Sequence, residues 1–426
     1  MLNQPGDGRR ALPFGGAMTD QGAYTTEKSW ALYDRAQAVI PMGTQTHSKA
    51  PHEALRGVEP CYIKRAKGCR VWDIDGNRYL DFRNAMGPIT LGYNHPAVIA
   101  AVKRQLDDGT VFSYAHPLEV TVAERLTRVI PCAERVRFLK TGGEAMAAAH
   151  RLARAHTERD VVLTCGYHGW VNTVNRPGVP EAISSVYVAM PWGDAAPYEA
   201  ALAARSGSVA AISVACDYAT IHRGHTFLRD LRRLCDAHGA LLIFDEIVTG
   251  FRLRVGGAQE YFGVTPDLAV FAKGIANGFP LSCYAGRTDV VESVRDVGVS
   301  STYGGEATSL AAADAVLTVY EQEPVIETLW ARGERLHDGF GQICDRLSIR
   351  ARIVGLPPCG VMVFDYDNRA VILGRLFREC LKRGLIFYTS LWYINYAHSE
   401  PDIDEALGIV EEALSAMKGE GQFRTS

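Results

Sequence analysis

The sequence predicts an α/β protein: a large domain built on a mostly parallel sheet, and a smaller α+β domain made by the two ends of the chain. Three observations carry this. Six short apolar runs follow one another from residue 136: VRFLK (136–140), DVVLTC (160–165), AAISVAC (210–216), ALLIFDE (240–246), LAVFAKG (268–274) and LSCYAG (281–286). They are continuous rather than alternating, as expected of strands covered on both faces. Helical stretches such as EAMAAAHRLARAH (144–156) and FLRDLRRLCDAHG (227–239) lie between them, which is the pattern of a parallel sheet with crossover helices.

The flanking segments read differently. Residues 28–42 form an amphipathic pattern that ends near Pro41. Residues 61–82 alternate as a hairpin with Asp75-Gly76 at the turn. Residues 96–108 and 118–129 are predicted helical, as are segments near 371–384 and 402–417. Beyond about residue 312 long helices take over. The expected division is therefore 1–80 (an N-terminal arm and part of the small domain), 81–312 (the large domain) and 313–426 (the rest of the small domain).

Bulk numbers limit the function. The chain has 426 residues, 47% hydrophobic and 22% charged, the balance of a globular protein. A net charge of −3 gives no reason to expect nucleic acid, and no apolar run is long enough to expect a membrane span. The first 22 residues lack an apolar signal-peptide core and read as an arm at a subunit interface. Ten scattered cysteines without CxxC pairs suit reduced thiols in a cytoplasmic enzyme. His47, His116, His222 and His225 show no metal-ligand spacing, so no metal is expected.

Four stretches carry chemistry. In KTGGEAM (140–146) a strand gives way to a helix through Gly142 and Gly143. The helix N-terminus, with the Glu144 backbone, can cradle a phosphate; an ordinary strand–helix turn has the same sequence. GYHGW (166–170) follows the next strand, and Tyr167 or His168 can stack on a flat cofactor or simply pack a loop. In LLIFDEIVTGFR (241–252) Asp245 ends an apolar run. A carboxylate there can hold a proton on a pyridine nitrogen, cap the strand or bind a metal, and Ile247 can cover a ring face. In FAKGIANGFP (271–280) Lys273 is the only charged residue. A buried lysine has a lowered pKa and a nucleophilic amine, whereas a lysine whose stem packs can also extend its ammonium to water. Phosphate cradle, aromatic stack, pyridinium partner and Schiff-base lysine, in that order and at strand ends, point to pyridoxal 5'-phosphate (PLP) on Lys273.

The chain resembles the class III aminotransferases of fold type I, nearest to the glutamate-1-semialdehyde aminomutase branch. The resemblance covers residues 30–415 and is carried by VWDIDGNRYLDF, GGEAMAAAHRLARAHTERD, GYHGW, FDEIVTGFR, GGAQEYFGVTPDLAVFAKGIANGFPL and AHSEPDID. It implies a seven-stranded-type, mostly parallel sheet in the PLP-binding domain. It implies Lys273 as the Schiff base and proton shuttle, Asp245 at the pyridine nitrogen, Tyr167 on the ring, Ile247 behind it and Gly142-Gly143 at the phosphate. Thr302, in STYGGEATS, matches a threonine that reaches the partner's phosphate, which implies a homodimer with shared active sites.

Departures from that pattern bear on the substrate. Where the aminomutase branch carries a carboxylate-binding arginine, PMGTQTHSK (41–49) offers Lys49. A strand end that is often Glu-Pro is Ala215-Cys216, followed by Asp217, and an Asn-Pro is Glu306-Ala307. Trp170, Trp392 and Tyr393 add aromatic surface, which can also be plain core. The expected activity is amino transfer to an aldehyde or ketone carbon of a bulky substrate, an amino sugar of the kind found in aminoglycoside antibiotics. An epimerase or aminomutase, with Cys216 as second base or as a buried structural thiol, and a non-catalytic PLP-fold scaffold are the alternatives.

Overall fold

The computed structural model describes residues 25–423; the predicted N-terminal arm lies outside them. Among these residues the chain divides into two compact units. One comprises 87–90 and 96–327, the other 25–86, 91–95 and 328–423.

The larger unit is built on a seven-stranded sheet. Its order in space is Arg135–Leu139, Ser282–Gly286, Leu268–Phe271, Leu241–Asp245, Val209–Ala215, Val161–Cys165 and Tyr187–Ala189. Only Ser282–Gly286 runs antiparallel to its neighbours; the remaining pairs are parallel. Every residue of Leu241–Asp245 and Leu268–Phe271 is buried, which explains why these strands read as unbroken apolar runs. The short edge strand Tyr187–Ala189 escapes sequence reading, since three half-buried residues leave no period to detect.

Helices cover the sheet. Gly142–Thr157 lays Ala145, Ala149 and Ala153 against Val162, Ala211, Ile243 and Val270. Small side chains let the helix approach the strands closely at little entropic cost. Gly224–His238 buries Phe227, Leu228, Leu231 and Leu234, and ends at Gly239 in the left-handed conformation (φ 63°). The helix Ala307–Gln322 packs on Pro96–Asp108 and Pro117–Val129, so it belongs to the larger unit.

In the smaller unit Ile63–Lys67, Arg70–Asp73 and Arg78–Asp81 form an antiparallel meander, joined in parallel by Leu385–Ile386. The predicted turn lies between the second and third strands, with Gly76 at φ 99°. A second sheet pairs Ala351–Val354, Cys359–Phe364 and Leu391–Tyr393. The first predicted helix is shorter than expected, Glu27–Ala36, because the chain turns before Pro41.

Candidate active site

The carboxyl ends of the parallel strands lie along one edge of the large sheet, and the four chemistry-bearing stretches all leave from that edge. Lys273 lies just past Leu268–Phe271 rather than on the strand, as the first residue of a turn, Lys273–Ala276. Its φ of 50° is left-handed, an uncommon conformation for a lysine that costs about 1 kcal/mol or more. Neighbouring contacts hold the turn. Asn277 Oδ1 accepts from the Thr90 amide at 3.0 Å. A Cβ at Gly274 would stand 3.0 Å from both Phe251 and Thr90, which leaves only glycine comfortable there. The side chain is half-buried, and its amine makes no hydrogen bond or ion pair among the described residues. Burial lowers its pKa to about 8; Asp245 pulls upward and Arg252 adds to the lowering. Near neutrality about a tenth of the amine is therefore unprotonated, against a negligible share for an ordinary lysine.

Asp245 ends Leu241–Asp245, level with Ala215 on one side and Val270 on the other. Its Oδ1 accepts from the Ile247 amide at 3.1 Å, and its Oδ2 accepts from His168 Nδ1 at 2.9 Å. This corrects the expectation that His168 stacks on a ring: its imidazole is fixed edge-on to a carboxylate. The next residue, Glu246, is wholly buried and accepts from the amides of Ala258 (2.7 Å) and Gln259 (2.9 Å) and from Thr249. Burial raises its pKa to about 7 against those hydrogen bonds. Adjacent acids thus have separate tasks, one at the site and one fastening the loop behind it.

Sequence reasoning missed what stands behind His168. The ring of His150 meets it edge-on, 6.0 Å between centroids, and His150 Nε2 lies 3.0 Å from Ser213 Oγ. Burial, then His168 and Arg154, hold the His150 pKa well below the ordinary histidine range, so this ring is neutral. Asn172 Nδ2 donates to the carbonyls of Gly143 (3.0 Å) and His168 (2.7 Å), tying the phosphate loop to the aromatic loop. A lone buried histidine inside an alanine-rich helix was the available signal.

The helix begins at Gly142, two residues earlier than expected, with Thr141 as its cap. Thr141 Oγ1 accepts from the Glu144 amide (3.3 Å), while Glu144 Oε2 accepts from the amides of Lys140 (3.1 Å) and Thr141 (3.4 Å). The Glu144 amide is therefore taken by the cap. The amides of Gly142 and Gly143 donate to no group among the described residues, and they are the ones left for an anion. Close contact restricts Gly142 and Gly169: a Cβ on Gly142 would sit 2.5 Å from Ile247 Cδ1, and one on Gly169 (φ 87°) 2.5 Å from Gly143 Cα. Tyr167 is 47% exposed; burial, then the field of Asp245, raises its pKa, which puts the phenol near that carboxylate. Trp170 is 81% exposed, and Thr302 is exposed in the turn before Ala307–Gln322.

Other expected substrate contacts are engaged elsewhere. Glu306 caps Ala307–Gln322, accepting from the amides of Thr308 (2.8 Å) and Ser309 (3.1 Å), and pairs with Lys140 at 3.0 Å. Burial raises its pKa, but these hydrogen bonds outweigh that and hold it at about 2. Asp217 Oδ1 accepts from the amide and hydroxyl of Thr220, both at 2.9 Å, closing a local turn. Cys216 is buried one residue past the strand, where Ala215 rather than Cys216 stands level with Asp245. In the smaller unit Trp392 is core: 1% exposed, stacked on Phe387 at 4.6 Å and tilted against Phe82 at 4.9 Å. Tyr393 is 4% exposed. Lys49 is exposed at the end of the short turn His47–Lys49.

Among the described residues no group of three or more His, Cys, Asp or Glu is placed to hold a metal ion, and no helix is long and apolar enough to cross a membrane. The family profile for class III aminotransferases matches residues 54–175 and 195–414. The chain is 35% identical over 417 residues to a glutamate-1-semialdehyde 2,1-aminomutase of Acetivibrio thermocellus, covering 90% of this chain and 96% of that protein. It is 33% identical over 430 residues to the enzyme of that name from Syntrophobacter fumaroxidans, covering 92% and 99%. Among solved structures, the FumI protein of Sphingopyxis sp. MTA144 in its PLP internal aldimine form superposes with a TM-score of 0.87. It is 28% identical, with 94% of this chain and 98% of that one covered. A transaminase with PLP bound gives a TM-score of 0.85 at 28% identity, with 94% and 100% covered.

Proposed function

Because the chain belongs to the class III aminotransferase family, we propose that it moves an amino group through Lys273 onto an aldehyde or ketone carbon of a bulky substrate. Pyridoxal 5'-phosphate is the cofactor of this fold type I enzyme. The residues present fit it: a half-buried lysine whose amine has no partner among the described residues, two glycine amides at a helix N-terminus likewise unpaired among them, and a carboxylate fixed by two donors. When bound, the cofactor's protonated ring draws electrons away from the carbon next to the substrate nitrogen.

The chain's own groups divide the remaining work. Lys273, with its pKa near 8, would hold the cofactor through its amine and would move a proton at substrate carbon. Asp245 would hold a proton on the pyridine nitrogen. Its orientation is set by His168 Nδ1–H and the Ile247 amide, so neither oxygen rotates away. Gly142 and Gly143 amides would hold the phosphate, joined by Thr302 of the partner subunit in a homodimer, and Tyr167 and Ile247 would hold the ring. The observation that carries this reading is the unpartnered amine of Lys273 with a pKa of about 8 in the field of Asp245.

Trp170 and Lys49 remain candidates for substrate contact. The amino-sugar acceptor rests on the exposed Trp170 and on the departures from the aminomutase pattern; the engagement of Glu306 and Asp217 in local caps removes two of its supports. A second reading, an aminomutase, is favoured by the relatives of that name at 33–35% identity. The test is the visible spectrum of holoenzyme with L-glutamate and an amino-sugar panel. Loss of the lysine-bound cofactor band with an amine, and its return with a carbonyl compound, supports amino transfer. Turnover of a single substrate, with solvent deuterium entering it and no separate donor, supports the mutase.

A further inference from the structure

We propose that His150 is a positioning residue for the carboxylate at the pyridine nitrogen: from inside the helix Gly142–Thr157 it holds the His168 ring in the orientation that donates to Asp245. The inference rests on the reading of Asp245 as the cofactor's partner and extends it to a residue one shell behind.

Every other buried position of that helix is alanine, methionine or leucine, and His150 is wholly buried among them. A polar ring there must recover its desolvation through hydrogen bonds. It does so at both nitrogens. Nε2 lies 3.0 Å from Ser213 Oγ, and Nδ1 lies 3.4 Å from the Tyr187 hydroxyl. Arg154 Nη1 donates to that hydroxyl at 3.3 Å, and its guanidinium stands 4.6 Å from the Tyr187 ring centroid. Arginine has donors only, so the Tyr187 oxygen accepts from Arg154 and its hydrogen is left for His150 Nδ1. The His150 proton then lies on Nε2, directed at Ser213. Contacts from two strands, Val209–Ala215 and Tyr187–Ala189, thereby fix the plane of the ring.

His168 has no such double hold. Its Nδ1 donates to Asp245 Oδ2 at 2.9 Å, but its buried Nε2 makes no hydrogen bond among the described residues. A single bond leaves a ring able to turn over about its Cβ–Cγ axis. That turn would present Cδ2 to the carboxylate in place of the N–H. Asn172 fixes the backbone of His168 by donating to its carbonyl at 2.7 Å, and a backbone bond does not set the rotation of the ring.

Packing opposes the turn. The His150 ring meets His168 at 88° with 6.0 Å between centroids, an edge-to-face contact with a preferred geometry. A ring held at both nitrogens thus braces a ring held at one. Burial, then His168 and Arg154, keep His150 neutral, so it braces its neighbour without bringing a cation toward Asp245. A cation there would compete with the pyridine nitrogen for that carboxylate.

The test is a double-mutant cycle read by titrating PLP into apoenzyme, a measurement that needs no turnover. His168→Phe keeps a flat ring against His150 and removes the donor, and should weaken PLP binding by about tenfold. His150→Leu should weaken it several-fold in wild-type background and by less than about twofold in the His168→Phe background, where no donor remains to be positioned. A His150 that only fills the core would show the same loss in both. If His150→Leu does not fold, judged by circular dichroism, His150→Gln decides in the same cycle, since it can still donate to Ser213 but has no ring. Equal losses in the two backgrounds, or PLP binding unchanged by the His150 substitution, overturn the proposal. The visible cofactor band of wild type separates this from a failure of the PLP reading: its absence removes the role of Lys273 and this proposal with it, whereas normal loading with an additive cycle removes the role of His150 alone.

Discussion

The imidazole of His168 donates from Nδ1 to Oδ2 of Asp245 at 2.9 Å, with both side chains almost wholly shielded from solvent. A charge-assisted hydrogen bond in such surroundings stabilises the ionised carboxylate. The acid proposed to sit at a pyridine nitrogen is thus itself held in place by a fixed donor.

Asp245→Asn is expected to keep the fold and lose about two orders of magnitude or more in kcat, since the amide cannot hold the ring proton by charge. His168→Ala is expected to lose roughly tenfold, about the worth of one charged hydrogen bond. An unchanged kcat with PLP affinity intact would make His168 merely structural.

The lowered pKa of Lys273 predicts a pH dependence in apoenzyme. The rate of PLP capture should rise as the amine deprotonates around pH 8, not 10.5. Stability should follow. Below pH 10.5 the unfolded lysine holds its proton, while the folded one has released it down to about pH 8, so stability increases with pH across that window. The gain is at most about 3 kcal/mol. Lys273→Met should lack this slope in urea melts.

Gly169→Ala should be more damaging than Gly142→Ala. It combines a φ of 87° with a Cβ 2.5 Å from Gly143 Cα, backbone that cannot rotate aside. A loss of about 2 kcal/mol and weakened PLP affinity are expected, read by thermal melts and cofactor titration. Gly142→Ala meets the flexible end of Ile247 instead and should be milder.

Glu306→Ala should lower stability by about 1 kcal/mol through the lost cap, with Glu306→Asn restoring most of it. The wild-type carboxyl is held at about 2 against an ordinary 4.5. Its stabilisation is therefore complete above pH 4.5 and fades as pH falls toward 2, a dependence the alanine variant should lose.

Much of this architecture was legible in the chain. Continuous burial of Leu241–Asp245 and Leu268–Phe271 is what made those strands visible as apolar runs. Lys273, Asp245 and the glycine pair announced themselves through residue type and position at strand ends. Side-chain direction was not legible. His168 turned edge-on to Asp245, and Glu306 and Asp217 folded back onto neighbouring amides, choices set by local hydrogen bonds that spacing does not encode. Trp392 packed into the core because its strand pairs on one side with Cys359–Phe364, a contact made across more than thirty residues of chain. The left-handed turn after Arg83 contains no glycine to betray it.

The central claim is that Lys273 carries the cofactor. Borohydride reduction of PLP-loaded protein, followed by peptide mass spectrometry, tests it most directly. The account predicts a reduced phosphopyridoxyl mass on the peptide containing Lys273, and none in Lys273→Ala. Cofactor fixed on another lysine, or no fixed cofactor in wild-type protein, would contradict it.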